Sequence, residues 1–310
     1  MRRIITIDAG TSNLRIRLIE NKKIILEKKS TDGIKIGKDK FNENLHKVLN
    51  TILIEKKLKK DEIDCIIASG MLTSSLGLKE VPHILTPVSL EKLKNNLDYY
   101  QLGEFKILLI PGIKVVKDYF KEEGIKNIDV MRGEETEIFG IVSKKIEKDF
   151  LVVLPGSHNK IVEVKENEVV DFFTTMSGEI YEVLTKYTIL KNSINENYCN
   201  EINEKFLMLG YKACRKYGFN QATFILRGMD LSQKLTINEK TNYLLGVAVA
   251  EDILIIEQNE YYKKYKNIFI AGDSIISRAL KVILEKLEFF EKVSSILEND
   301  LSVKGALEIV

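Results

Sequence analysis

Cysteine, histidine and proline are scarce: three, three and four residues in a chain of 310. Cys65, Cys199 and Cys214 form an odd, widely spaced set with no CxxC pair. With the histidines scattered as well, a disulfide framework and a structural zinc site are excluded. The few prolines and the lack of any low-complexity tract leave no sign of a flexible linker or a disordered tail. Charge of one sign is not in excess. Lys plus Arg number 47 and Asp plus Glu 45, a net +2, which argues against bulk binding of nucleic acid or an anionic membrane. The longest apolar run, Tyr243 to Ala250, is far short of the roughly 20 residues a membrane helix needs. The run before Asp8 is too short for a signal-peptide core. A soluble protein of a reducing compartment, the cytoplasm, is the expectation. Two nucleotide fingerprints are also missing. Gly33-Ile34-Lys35-Ile36-Gly37-Lys38-Asp39 has the wrong spacing and last residue for a P-loop, and no two glycines stand two apart, so there is no GxGxxG.

What is present is an ordinary globular balance, 45% hydrophobic and 30% charged, with a length that predicts two domains. Residues 3–8 read as a buried strand ending in a glycine-hydroxyl turn, Ala9-Gly10-Thr11-Ser12. Alternation predicts strands over 14–19 and 22–27, then a helix over 41–58. Further strands are expected at 65–68 and 106–110, the second stopped by Pro111-Gly112. The pattern then restarts. Residues 150–154 form a strand, Pro155-Gly156-Ser157-His158 a turn, and 161–164 and 169–173 two more strands. Superposing Gly156 on Gly10 is an offset of 146 residues, which also brings Ser157 onto Thr11, Asn159 onto Asn13, and Glu166-Asn167 onto Glu20-Asn21. We read two copies of one strand-hairpin unit, with a boundary near 144–148. Helices follow over 180–190, 201–217 and 241–258, then a strand at 267–270 and a helix over 275–289. Mixed strands and helices in both halves indicate α/β domains.

Several segments carry candidate chemistry, each with a plainer reading beside it. Asp8 at a strand end, followed by Gly10, Thr11, Ser12 and Asn13, makes a nest for phosphate oxygens with a carboxylate for Mg²⁺; the plainer reading is a capped hairpin turn. Gly156, Ser157, His158 and Lys160 repeat the arrangement and add a cation, although a lone histidine is more often a turn or core residue. Glu134 and Glu135 after Gly133 either complement a helix dipole or supply the base that takes a proton from a substrate hydroxyl. Arg132 beside them suits a carboxylate or phosphate. Ser69, Gly70, Thr73, Ser74 and Ser75 follow a strand, where α/β proteins bind ligands; a polar loop with a helix cap is the alternative. Gly272-Asp273 follows a late strand and either underlies a nucleotide or caps a helix. Cys65 reads as core packing.

In this order, 7–15, 70–75, 131–136, 154–160 and Met176-Ser177-Gly178-Glu179 resemble the 2-dehydro-3-deoxygalactonokinase family of the actin-like, hexokinase-like ATPase superfamily. The likeness spans essentially the whole chain. The chain departs from the family pattern in having Ala9 where an aromatic is usual, Ser157-His158-Asn159-Lys160 where Thr-His-Ser-Lys is common, and Ser177 in a Met-Thr-Gly-Glu segment.

The resemblance implies ATP-dependent phosphorylation of the 6-hydroxyl of 2-dehydro-3-deoxy-D-galactonate in galactonate breakdown. It also implies two RNase H-like domains flanking a nucleotide cleft, 1–146 on the acceptor side and 147–310 on the nucleotide side. Asp8 would then hold Mg²⁺ through water, and the turns at Gly10-Thr11-Ser12 and Gly156-Ser157 would cradle phosphates. Lys160 or Arg15 would offset developing charge. Glu134 or Glu135 would act as base, and Ser69 to Ser75 with Arg132 would hold the sugar acid. Domain closure would exclude water. The partners expected are ATP and a small sugar acid, not nucleic acid or membrane, with a homodimer left open. Two other functions remain: a different sugar or sugar-acid kinase of the superfamily, and an actin-like or chaperone-like ATPase acting on a protein.

Overall fold

The structure, a computed structural model, describes residues 2–10, 13–31, 33–116 and 128–310. In chain order the first strands are β1 (Arg3–Ala9), β2 (Leu14–Glu20), β3 (Lys23–Ser30), β4 (Cys65–Gly70), β5 (Ile84–Leu85), β6 (Asp98–Leu102), β7 (Phe105–Leu109), β8 (Ile113–Val116) and β9 (Ile128–Met131), with helices α1 (Lys38–Lys56), α2 (Leu90–Asn95) and α3 (Glu134–Val142). Six strands form one sheet in the order β3-β2-β1-β4-β7-β6, and β5-β8-β9 form a small second sheet. β1 is antiparallel to β2 and parallel to β4. Its Ile4, Ile5 and Ile7 are all buried, as befits a strand covered on both faces. Phe41, Leu45, Leu49 and Ile52 of α1 recur at helical spacing and close the core on one face.

The second set comprises β10 (Phe150–Leu154), β11 (Asn159–Lys165), β12 (Glu168–Thr175), α4 (Ser177–Tyr187), α5 (Lys191–Ile194), α6 (Glu204–Tyr217), α7 (Phe219–Ser232), α8 (Ile237–Ala248), α9 (Ala250–Gln258), β13 (Asn267–Ala271), α10 (Ile275–Leu287), β14 (Lys292–Ile296) and α11 (Leu301–Ile309). The sheet order is β12-β11-β10-β13-β14. β10 is antiparallel to β11 and parallel to β13, which is parallel to β14. A hairpin leading into parallel strands is thus built twice.

The registers refine the repeat. Asp8 pairs with Arg15 across β1 and β2, and Leu154 pairs with Lys160 across β10 and β11. The offset is therefore 146 before the loop and 145 after it, because the second loop is one residue shorter. Arg15 and Lys160 are the matching positions, and Asn159 does not fall on Asn13. The hairpin turns agree: Asn21-Lys22 and Glu166-Asn167 have positive φ at both residues, the geometry of a two-residue hairpin.

Two compact units result. One comprises Met1–Lys148, Asn167–Val170 and Asp300–Val310, the other Asp149–Glu166 and Asp171–Asn299. A second domain running from 147 to the last residue was expected; instead α11 packs on α3 in the first unit. A Cβ on Gly305 would overlap the Thr136 carbonyl, and one on Gly140 the Leu301 carbonyl, so these glycines let the two backbones touch. The helix expected over 241–258 is two helices meeting at Val249. Among the described residues no helix is long and apolar enough to cross a membrane, and Cys65, Cys199 and Cys214 are free.

Candidate active site

In the first unit, β1 and β4 run parallel and end side by side, with Asp8 opposite Ser69. Ligand clefts form beyond such strand ends. Gly70 adopts φ +76, and the N-terminus of α3 comes in against it: a Cβ on Gly133 would lie 3.2 Å from the Gly70 Cα. Asp8 is half-buried. Burial holds its carboxyl above the usual aspartate value, against the opposing pull of Arg15 and Arg17. Glu137, one turn into α3, is pushed up to about 7 by burial and then by the charges of Asp8 and Glu134, with Arg15 opposing. Asp8, Glu134, Glu137 and Arg15 therefore share one electrostatic neighbourhood.

Glu134 and Glu135, adjacent in sequence, part company. Glu134 is half-buried, its Oε2 accepting from the Arg132 N–H at 3.0 Å. Glu135 is fully buried; its Oε2 accepts from the Gly133 N–H at 2.6 Å, and its Oε1 has no hydrogen-bond partner among the described residues. Burial, then the charge of Glu134, pushes Glu135 up to about 8. A glutamate aimed into the protein cannot meet an external hydroxyl. Glu137, three residues on from Glu134, is on its face of the helix.

Arg132 faces protein. Nη1 donates to the Thr73 carbonyl at 2.6 Å and to the Thr73 hydroxyl; Nη2 donates to the Val81 carbonyl at 2.9 Å and lies 3.2 Å from the His83 ring nitrogens. His83 is driven down to about 4 by burial, then by Arg132 and Lys114, so it is neutral at pH 7 and can accept. Thr73 is buried and donates to the Gly70 carbonyl, while the Ser74 hydroxyl donates to the Met71 carbonyl. Ser69 is buried beside Asp8, and Ser75 is exposed. Arg132 thus braces the hydroxyl segment from behind.

Gly10 and Asn13 are exposed, and the Gly10 N–H donates to the Asn13 carbonyl at 2.9 Å. Arg15 is exposed. Thr11 and Ser12 lie outside the described residues.

In the second unit Gly156, Ser157 and His158 form an exposed tip on buried Asn159 and Lys160. The Gly156 N–H turns inward to Asn159 Oδ1 at 2.9 Å. His158 Nε2 lies 2.7 Å from Glu179 Oε2, and the Glu179 N–H donates to the Ser157 carbonyl at 2.9 Å. Lys160 Nζ donates to the Thr174 hydroxyl at 2.7 Å. Beneath the loop, Asp252 is fully buried and pushed up to about 6 by desolvation, against hydrogen bonds from Thr175, Ser177 and Asn159. Gly272 has φ +76, as does Gly70 at the matching strand end. Asp273 is exposed and forms a two-point pair with Arg278 at 2.8 and 2.6 Å, while Ser274 caps α10.

Glu137 and Asp252 do not stand out as site residues in the sequence. Helical spacing from Glu134 is the signal for the first, and a lone acid on an apolar helix face the signal for the second. For Mg²⁺ the donors suit a hard cation: one strand-end carboxylate with a second close by fits an ion that keeps most of its waters. No cluster of three or more metal-ligating side chains occurs among the described residues.

A family model described as 2-keto-3-deoxy-galactonokinase matches residues 8–309. A Rhizobium meliloti (strain 1021) protein named "Probable 2-dehydro-3-deoxygalactonokinase" is 29% identical over 192 residues, 61% of this chain and 58% of that protein. The Escherichia coli (strain K12) 2-dehydro-3-deoxygalactonokinase is 28% identical over 188 residues, with the same two coverages. The matches thus span less than two thirds of either relative. A crystal structure from Sinorhizobium meliloti carrying the same enzyme name superposes with TM-score 0.84 at 21% identity, covering 99% of this chain and 97% of that one. At that identity the likeness shows the fold alone.

Proposed function

Because the chain belongs to the 2-keto-3-deoxy-galactonokinase family, we propose that it transfers the γ-phosphoryl group of ATP to the 6-hydroxyl of 2-dehydro-3-deoxy-D-galactonate, a step of galactonate breakdown. The observation that supports this most is the gathering of Asp8, Glu134 and Glu137 at the end of β1, beside the hydroxyl segment Ser69 to Ser75. Phosphoryl transfer to an alcohol needs such carboxylates, one to meet the metal and one to take a proton.

Asp8 is the residue for Mg²⁺, through water, with Glu137 close by. When bound, the ion neutralises charge on the β- and γ-phosphates. Glu134 is the base: it orients the acceptor O–H and takes its proton while that oxygen bonds to γ-phosphorus. The bond from γ-phosphorus to the bridging oxygen breaks, and ADP leaves with the electron pair. Glu135, buried, supports the start of α3 instead. Arg15 and Lys160, the matching cations of the two units, balance phosphate charge. The turns at Gly10-Thr11-Ser12 and Gly156-Ser157 are the phosphate cradles of this reading; in the second, the Gly156 N–H is engaged with Asn159, which leaves Ser157 and His158 as its donors. Ser69, Gly70, Ser74 and Ser75 border the acceptor, with Thr73 and Arg132 holding that segment in place. Gly272 and Asp273 border the nucleoside. Positioning and electrostatics carry the rate. We place the reaction in the cytoplasm, where ATP and reduced cysteines coexist.

The test is ADP release from purified protein with ATP, Mg²⁺ and 2-dehydro-3-deoxy-D-galactonate, run against the gluconate epimer and neutral sugars. Turnover dependent on the acid's carboxylate supports the reading. Equal turnover on neutral sugars points to another kinase of the superfamily, and hydrolysis indifferent to every acceptor points to a protein-directed ATPase.

A further inference from the structure

The second loop is held by a buried device with no counterpart at the first loop among the described residues. Asn159 and Asp252 are both completely buried. Asn159 Nδ2 donates to Asp252 Oδ2 at 3.0 Å, and Asn159 Oδ1 accepts the Gly156 N–H at 2.9 Å. The carboxylate can only accept and the peptide N–H can only donate, so the amide of Asn159 has one orientation that satisfies both. The other oxygen of Asp252 accepts from the Thr175 hydroxyl, on which the Ser177 hydroxyl sits at 3.3 Å. Ser177 opens α4, whose next residue, Gly178, has no room for a Cβ against the Gly156 carbonyl, and whose Glu179 N–H holds the Ser157 carbonyl. One carboxylate therefore ties together both supports of the Gly156–His158 tip: Asn159 beneath it and the Thr175–Glu179 segment beside it. In the first unit the Gly10 N–H donates to the Asn13 main-chain carbonyl.

We propose that Asp252 is a positioning residue for ATP, acting through Asn159 to fix the Gly156–His158 loop in its phosphate-receiving shape. This rests on the reading of that loop as a phosphate site. With the Gly156 N–H turned inward to Asn159, Ser157 and His158 are the exposed residues of the tip, and the carboxylate supports them without touching the nucleotide. An unpaired amide at Asn159 would let the loop sample other turns, and affinity would fall by the fraction of time the loop is misfolded.

The experiment compares Asp252→Ala, Asn159→Ala, the double variant and the conservative Asp252→Asn with the full-length protein. It measures KM for ATP, KM for the sugar acid, kcat and amide exchange of residues 155–159. Each alanine variant is expected to raise KM for ATP about tenfold, the size of one lost buried hydrogen bond. The double variant should be no worse than the poorer single, since both cut one chain. Loop exchange should quicken, while KM for the acid and kcat stay within about twofold. Asp252→Asn should recover most of the affinity, because its amide can turn its oxygen to Asn159 and its NH₂ to Thr175. If Asp252→Ala does not fold, Asp252→Ser, which retracts the acceptor, replaces it. Equal rises in both KM values, additive effects, or an unchanged KM for ATP would overturn the proposal. Ser157→Asp separates this from the underlying reading by placing a negative charge on the exposed tip. If it binds ATP like the wild type, the loop is not a phosphate site and both ideas fall. If it loses ATP while Asp252→Ala does not, only the positioning role falls.

Discussion

A Cβ on Gly70 would stand 3.3 Å from Oδ1 of Asp8 and 2.7 Å from the Ala9 carbonyl oxygen. The end of β4 thus closes on the end of β1 with room for a hydrogen and nothing more. Gly70 also sits at φ +76, a conformation that L side chains rarely adopt. Gly70→Ala adds strain of about 1–3 kcal/mol and pushes directly on the Asp8 carboxylate. The variant should melt lower and lose kcat by at least about tenfold, with KM for ATP little changed. Thermal denaturation and steady-state kinetics check this; a wild-type melting point would mean that the two strand ends are less closely seated.

Arg132 sits behind the hydroxyl segment rather than at an open surface. Its guanidinium joins the Thr73 and Val81 carbonyls and the neutral His83 ring, three acceptors that the single ammonium of a lysine does not match. Arg132→Lys should loosen residues 69–75 and raise KM for the sugar acid about tenfold while leaving KM for ATP near wild type. A rise in the ATP constant alone would contradict this division of labour.

Glu134 and Glu135 should separate cleanly when each becomes glutamine. Glu134→Gln removes the proposed base, and kcat should fall about a hundredfold or more. Glu135→Gln should act on stability. The folded chain keeps the Glu135 proton up to about pH 8, whereas an ordinary glutamate releases it near 4.5. Between those values the folded state binds the extra proton, so stability is greatest below the window and declines as pH rises through it, by up to about 1.4 kcal/mol per pH unit. Glu137 and Asp252, also raised, add slope of the same sign. Denaturant midpoints from pH 5 to 8 should therefore be flatter, not flat, in Glu135→Gln. If the two variants have equal turnover, the base lies elsewhere.

Strands β1 to β4, β7 and β10 to β13 and the two glycine turns are legible in the sequence because their signals are local, short runs of Ile, Val and Leu and then Gly and a hydroxyl; β5, β6, β8, β9 and β14, of two to five residues each, are not read from it. The repeat is legible as well, but a single offset cannot register a loop one residue shorter, and only the pairing of Leu154 with Lys160 shows the slip. The break at Val249 leaves no trace in an unbroken apolar run from Tyr243 to Ala250. α7 is hidden because Gly218 reads as a stop, when it is both the end of α6 and the start of the next helix. The acid pair is visible, yet which acid faces inward depends on how α3 is rotated against its neighbours, and that is set by residues from the far end of the chain.

That long-range contact can be tested. Gly305 of α11 meets the Thr136 carbonyl, and Gly140 of α3 meets the Leu301 carbonyl, each without room for a Cβ. Thr136 lies between Glu135 and Glu137, so α11 fixes the rotation that turns Glu134 and Glu137 to one side and Glu135 to the other. Gly305→Ala must push the helices apart, and overpacking of this kind costs about 1–3 kcal/mol or more. The urea midpoint should fall, and kcat should fall with it even though residue 305 touches no substrate. Gly228→Ala is the control: Gly228 is also helical, but nothing stands within 4 Å of a Cβ there, and a helical alanine gains about 1 kcal/mol over glycine. Loss of both stability and turnover at 305, with neither lost at 228, identifies close helix contact as the cause. Loss of stability with kcat intact would show that α3 keeps its rotation without α11.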